Sequence, residues 1–248
     1  MTTTVLNTPM VGFDVETTGL DKVTERIVTA SLVTENGSRN WLVNPEYRID
    51  EGASRVHGIT DEKAQKDGQD ARTALEEIIS ALAEHSQQGH VIVGHNVIYD
   101  FTILEYEAKR HGLTPLSQRA SLDTVMDPFI LDKALNTYRS GKRTLEKLTE
   151  IYGIPLDNAH EAWVDAQAAV QLFRALVQQS VEEGKSVDVE PQKLHNWHVV
   201  WKRRQDMSFA DYLRTRPINR VDNPDVPSGW PIEDRAKGTP EEDYSSFD

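Results

Sequence analysis

Asp14 and Glu16 stand two residues apart in Met10–Glu16 (MVGFDVE), a stretch that alternates like a strand. Side chains two apart on a strand share a face, so both carboxylates leave on the same side. Adjacent like charges resist full ionisation unless a cation neutralises them. Met10, Val11, Phe13 and Val15 make the strand apolar on both faces and therefore central. A carboxylate pair at the end of a central strand points to a site more than to a solvated strand end. Thr17-Thr18-Gly19 then turns the chain away and presents backbone N–H groups beside the pair.

Two further places offer acids. Asp100 follows the apolar run Val91–Val93 and the turn Gly94-His95-Asn96, near the first turn of a helix. Taken by itself that position favours an ordinary helix-start aspartate, held by capping and the helix dipole. The run His160-Glu161-Ala162-Trp163-Val164-Asp165 adds the third group. On a regular helix, residues five apart point roughly 140° away from each other. Both can serve one site only if His160 lies in the loop before the helix, as Pro155–Ala159 suggests.

Together these groups name one chemistry. Phosphodiester hydrolysis needs a water made nucleophilic near neutral pH and charge stabilisation on the leaving oxygen. Two divalent ions about 3.5–4 Å apart supply both. A hard cation such as Mg²⁺ takes oxygen ligands and keeps positions for water or substrate, so three or four carboxylates suffice. A histidine can take the proton of the attacking water.

The elements that must position these residues form an alternating pattern. Strands are expected at Met10–Glu16, Arg26–Glu35 and Ser38–Asn44, the last two joined as a hairpin through Asn36-Gly37. Thr60–Lys66 and Ala71–His85 read as helices, His90–Val93 as a short buried strand, and Tyr99–His111 as a helix ended by Gly112. Ala120–Asp123 reads as another strand, with helices over Thr124–Ala134, Arg143–Tyr152 and Glu161–Glu183. Three antiparallel strands followed by strand–helix units predict a mixed α/β domain with a five-stranded sheet flanked by helices.

The domain is expected to span residues 1–184. A helical segment over 185–218 carries Trp197, Trp201, Phe209 and Tyr212, and has seven basic against two acidic residues between Lys193 and Arg220. For its aromatics, packing onto the domain or a partner is favoured over base stacking. From 219 to 248 prolines, glycines and acids predict a disordered acidic tail.

The chain of 248 residues carries a net charge of −13. That argues against wholesale electrostatic binding of nucleic acid, yet suits a site where cations bridge carboxylates and phosphates. No apolar run approaches membrane-spanning length, and the start MTTTVLNTP lacks a secretory signal, so no membrane partner is expected. The absence of cysteine excludes disulfides and thiol catalysis and favours the cytoplasm.

The motifs resemble those of the DEDDh (DnaQ-like) 3′→5′ exonuclease family of the ribonuclease H-like superfamily. Phe13-Asp14-Val15-Glu16-Thr17-Thr18-Gly19-Leu20 matches its first motif, and Gly94–Asp100 its second with Tyr99 where Phe is usual. His160–Asp165 has the H-x-A-x-x-D form of the third, and Val56–Thr60 matches a further loop motif. The resemblance covers Met10 to Ala175. Met126–Lys133, Tyr138–Leu145 and the Trp197…Leu213 segment are similar to its actinobacterial and actinophage branch.

The resemblance implies that Asp14, Glu16, Asp100 and Asp165 hold two Mg²⁺ (or Mn²⁺) and that His160 is the general base. Thr17, Gly19 and Leu20 would line the pocket for the terminal nucleotide, with His57 and Asn96 as supporting or substrate-side residues. Arg143, in a basic cluster with Arg139 and Lys142, reads equally as a backbone-phosphate contact and as a solvated helix start. The implied partner is single-stranded or 3′-terminal nucleic acid, DNA by preference, with a DNA polymerase as a candidate complex. RNA trimming and a non-catalytic binding module are the alternatives.

Overall fold

The computed structural model describes residues 3–157, 159–222 and 224–234. Its elements run β1 (Met10–Thr17), β2 (Ile27–Thr34), β3 (Gly37–Asn44), α1 (Glu51–His57), α2 (Asp61–Asp67), β4 (Gln69–Asp70), α3 (Ala71–Gln87), β5 (Val91–Val93), α4 (Ile98–Arg110), β6 (Val125–Met126), α5 (Pro128–Leu135), α6 (Leu145–Ile151), α7 (Ala162–Glu182) and α8 (Pro191–Thr215). The strands lie in the order β4-β3-β2-β1-β5-β6. β1–β3 form the antiparallel meander, while β5 and β6 add on in parallel. This is the expected α/β architecture with one strand more, because Gln69–Asp70 pairs in parallel with Val43 and Asn44 at the β3 edge.

Strand periodicity divides the molecule into two cores. Val11, Phe13 and Val15 of β1 pack with α3 and α4, whereas Met10 belongs to the cluster under α7. Gly12 shares the α7 face, and a Cβ there would lie 2.4 Å from the Ala166 carbonyl oxygen. Only glycine permits this approach, which sets β1 against the first turns of α7 and brings Asp14 and Glu16 toward Asp165. On the other face the Phe13 and Phe101 rings meet at 5.6 Å between centroids. Each ring sits next in sequence to an acid, Asp14 or Asp100, so a core contact fixes how closely those acids approach.

Three expectations need correction. No strand forms at Ala120–Asp123. The strand is Val125–Met126, selected by pairing with Ile92 and Val93. The helix expected from Thr124 starts at Pro128, because Asp127 caps it through Phe129 N at 2.8 Å and proline suits the first helical position. Helix α1 was not anticipated, although Asp50 caps its start and Gly58, at φ 73°, closes its end.

The C-terminal segment is part of the folded body. In α8, Leu194 is buried in the α7-side cluster, and Trp197 and Trp201 pack against it. The tail expected from Asn219 is corrected over 224–234. There Trp230 and Ile232 pack against the α3/α4 core, and Glu233 N donates to Thr102 Oγ1 at 3.0 Å. Apolar side chains within an acidic stretch supply that docking; residues 235–248 lie outside the described residues. Among the described residues no helix is long and apolar enough to cross a membrane.

Candidate active site

The carboxyl end of β1 assembles the site. The register against β2 shifts between Glu16 and Thr17, so the strand bends away just after delivering Asp14 and Glu16 to the α7 face. Asp100 reaches in from the first turn of α4. It is 4% exposed, and its Oδ1 accepts from Val15 N at 3.0 Å. Asp165 projects from the first turn of α7. His160 lies outside that helix in a left-handed conformation (φ 73°), and its N–H donates to Asp165 Oδ2 at 3.2 Å. The geometric condition placed on His160 is met. Ligand atoms of Glu16, His160 and Asp165 all lie within 4.8 Å of one another.

Electrostatics make the cluster costly as it stands. Burial, followed by the charges of Asp100, Glu16 and Asp165, holds the Asp14 carboxyl well above the usual range. Burial and Asp165 push Glu16 up to about 8. Asp100 is raised by burial despite its bond from Val15 N, and Asp165 by burial against the opposing pull of His160. Among the described residues, the leading influences on the four acids include no lysine or arginine. Asp165 Oδ1 is buried without a hydrogen-bond partner. Oxygen-only acids, an orphaned buried oxygen and no compensating cation fit a hard divalent metal.

The loop after β1 is braced from α4. Tyr99 OH lies 2.9 Å from Thr17 Oγ1 and donates to Gly19 O at 2.7 Å, while Thr17 Oγ1 also donates to Gly19 O at 2.7 Å. A side chain at Gly19 would meet the Glu25 carboxylate, which instead accepts from Thr18 Oγ1 at 2.5 Å. The brace leaves Leu20 93% exposed at the loop tip. His57 shares a cleft with His160, Trp41 and Trp163. Its Nε2 is buried without a partner at bonding geometry, and burial pulls its pKa down while the Thr17 backbone opposes that shift.

The remaining residues divide. Asn96, at φ 59°, donates its N–H to Asp127 Oδ1 at 3.1 Å and keeps its side chain exposed beside the site. Arg143 is turned inward: its Nε donates to Asp132 Oδ2 at 2.8 Å and its Nη2 to Asn136 O at 2.7 Å. The structure thus brings together the four acids and His160, places Thr17, Gly19 and His57 next to them, leaves Leu20 and Asn96 exposed, and holds Arg143 in a structural bond. Sequence reasoning passed over the Tyr99 hydroxyl, seen only as a substitute for Phe. It also missed Glu146, whose Oε1 lies 3.5 Å from His160 Nε2. The Thr144 cap two residues earlier marked that helix start, but nothing local marked its neighbour.

A model of the family described as "Exonuclease" matches residues 11–173, well over half of the chain. DNA polymerase III PolC-type of Caldanaerobacter subterraneus subsp. tengcongensis is 29% identical over 204 residues, covering 76% of this chain and 14% of that protein. The PolC-type polymerase of Staphylococcus epidermidis is 30% identical over 198 residues, covering 77% and 13%. The chain thus spans about a seventh of these relatives. Among solved structures, E. coli exonuclease I in complex with a dT13 oligonucleotide superposes with a TM-score of 0.61 at 21% identity, over 71% of this chain and 42% of that one. Exonuclease I from Methylocaldum szegediense gives 0.60 at 20% identity, over 84% and 46%. With its motifs inside the matched span and its sheet and helices arranged as in those neighbours, the chain belongs to the exonuclease family, in the DnaQ-like branch of the ribonuclease H-like superfamily.

Proposed function

We propose that this protein hydrolyses phosphodiester bonds from the 3′ end of single-stranded or frayed DNA, releasing 5′-mononucleotides. The observation that carries this reading is the convergence of four carboxylates without a lysine or arginine among them, with His160 held beside Asp165 but outside its helix. Asp14, Glu16, Asp100 and Asp165 would hold two Mg²⁺ or Mn²⁺ ions, which when bound would acidify a water and neutralise phosphate charge. His160 takes the proton of the attacking water, and Glu146, whose Oε1 lies 3.5 Å from its Nε2, stabilises the imidazolium formed. The bond from His160 N to Asp165 fixes the backbone that carries the ring. Thr17, Gly19 and Leu20, braced by Tyr99, cradle the terminal nucleotide, with His57 and Asn96 at its margin. Residues 1–184 form the catalytic unit and 185–218 an accessory layer.

The test uses 3′- and 5′-labelled single-stranded DNA and RNA with Mg²⁺, Mn²⁺ or EDTA, alongside Asp14→Ala and His160→Ala. Stepwise metal-dependent loss from the 3′ end, abolished by either substitution, is expected. Activity surviving Asp14→Ala would sink the mechanism, and faster loss of RNA would move the substrate. The PolC-type alignments favour a second role, as a proofreading component of a DNA polymerase complex. Failure to co-elute with its host's replicative polymerase would remove that role and keep the nuclease.

A further inference from the structure

A second feature of interest lies between α5, within the span matched by the family model, and α8, beyond it. A cleft of about 400 Å³ is lined there by Lys133, Thr137, Trp201, Arg204, Gln205 and Ser208. Its character departs from the rest of the chain. Against a net charge of −13, the stretch Lys193–Arg220 has seven basic and two acidic residues, and one of those acids, Asp206, is engaged by Lys202 at 2.6 Å. Burial and the neighbouring Arg143 and Lys202 push the Lys133 ammonium pKa down, with Asp206 opposing, as expected where cations gather in excess. Trp201 packs at a tilt against Trp197 and His198 and also lines the cleft.

A chain of side-chain contacts links the cleft to the helix that faces His160. Lys133 Nζ sits 5.7 Å from the Phe129 ring centre, and Phe129 meets His95 edge-on at 5.9 Å. His95 Nε2 in turn contacts Arg143 O at 3.0 Å, two residues before the helix whose Glu146 faces His160. The connecting loop 136–144 is pinned from below by the Asp132 bonds to Arg139 and Arg143. It carries fully exposed Tyr138 at its tip and exposed Lys142.

From this juxtaposition we infer that the upstream part of a single-stranded DNA, whose 3′ end lies at the carboxylates, runs over the 136–144 loop into the α5/α8 cleft. Lys133, Arg204 and Lys142 face its phosphates, and Tyr138 and Trp201 offer surfaces for its bases. Cationic grooves lined by aromatics bind single strands in this sequence-tolerant way. The inference rests on the nuclease reading for the position of the 3′ end.

Anisotropy of labelled oligothymidylates of three and fifteen nucleotides, measured on the full chain in EDTA, separates the two. The fifteen-mer is expected to bind at least about tenfold tighter than the trimer. Arg204→Glu should weaken fifteen-mer binding by roughly fivefold or more and flatten the slope of log K against log salt by about one. Ser208→Glu, which places a negative charge in the cleft at an exposed position, should act in the same direction. Lys109→Glu, at the far end of α4, matches the charge change of Arg204→Glu as a control. Equal affinity for both lengths, or equal loss with Lys109→Glu, overturns the path and leaves the cleft to a protein partner. Length-dependent, Arg204-sensitive binding without hydrolysis would keep the path and overturn the nuclease; hydrolysis with length-independent binding would do the reverse.

Discussion

Asp132 is fully buried and the acids of the β1 end are buried or half-buried, and they are treated in opposite ways. Asp132 has no exposure but accepts from Arg139 and Arg143 at 2.8 Å, Tyr152 OH at 3.1 Å and Asn136 at 3.2 Å. Burial would raise its pKa, yet those donors outweigh it and hold the carboxyl below the usual range. At the β1 end, Asp14, Glu16, Asp100 and Asp165 raise one another and leave a buried oxygen orphaned. A buried acid saturated by its own protein is a structural joint. A buried group of acids that the protein leaves unneutralised is a place for an external cation.

The sharpest way to break this contrast is to delete one acid from each region. Asp165→Ala should reduce exonuclease turnover on the order of a thousandfold or more while leaving the metal-free fold at least as stable, since it relieves repulsion. Asp132→Ala should do the reverse. Two guanidiniums lose their counter-charge, so unfolding free energy from denaturant titration should fall by about 3–5 kcal/mol, with turnover per folded molecule largely kept. Stability lost by both variants alike would remove the distinction.

A pH series sharpens it further. Glu16 is raised to about 8 from a reference of 4.5, and Asp127 to about 7 from 3.8. With folded pKa values above unfolded ones, the native state holds protons that the unfolded chain has released, so stability declines as pH rises through this window. Buried His95 and His198, lowered to about 4, add stability only as pH rises toward 6.5. In EDTA the Tm should therefore fall between about pH 7 and pH 8, and Mg²⁺ should restore more at pH 8 than at pH 5. A Tm in EDTA that climbs over that range would contradict the electrostatic account of the site.

The smallest effect belongs to the brace. Tyr99→Phe removes one hydroxyl that bonds Thr17 and Gly19, worth about 1 kcal/mol, and should raise KM several-fold with little change in kcat. A fall in kcat alone would place the hydroxyl in the chemical step instead.

Legibility followed range along the chain. The meander, the long helices α3, α4 and α7 and the placement of Asp14 and Glu16 on one face were readable, since each rests on periodicity within a few residues. Asp100 was readable only with its companions, because its bond to Val15 N crosses 85 residues. Strand β6 was misplaced by a few residues since so short an edge is defined by its partner β5. Arg143 was left between two readings, and Asp132, eleven residues earlier, decided for structure.

By itself the sequence determined that two acids share one face of a central strand, that a histidine must stand outside the helix carrying Asp165, and that both lie within family motifs. These follow from the two-residue period of strands and the 3.6-residue period of helices, which act locally. Only the tertiary structure decided which acids go unneutralised, which arginines are spent inside the fold, and that α8 closes a basic cleft against α5. Those outcomes depend on which distant side chains are packed together, and on how much water that packing removes.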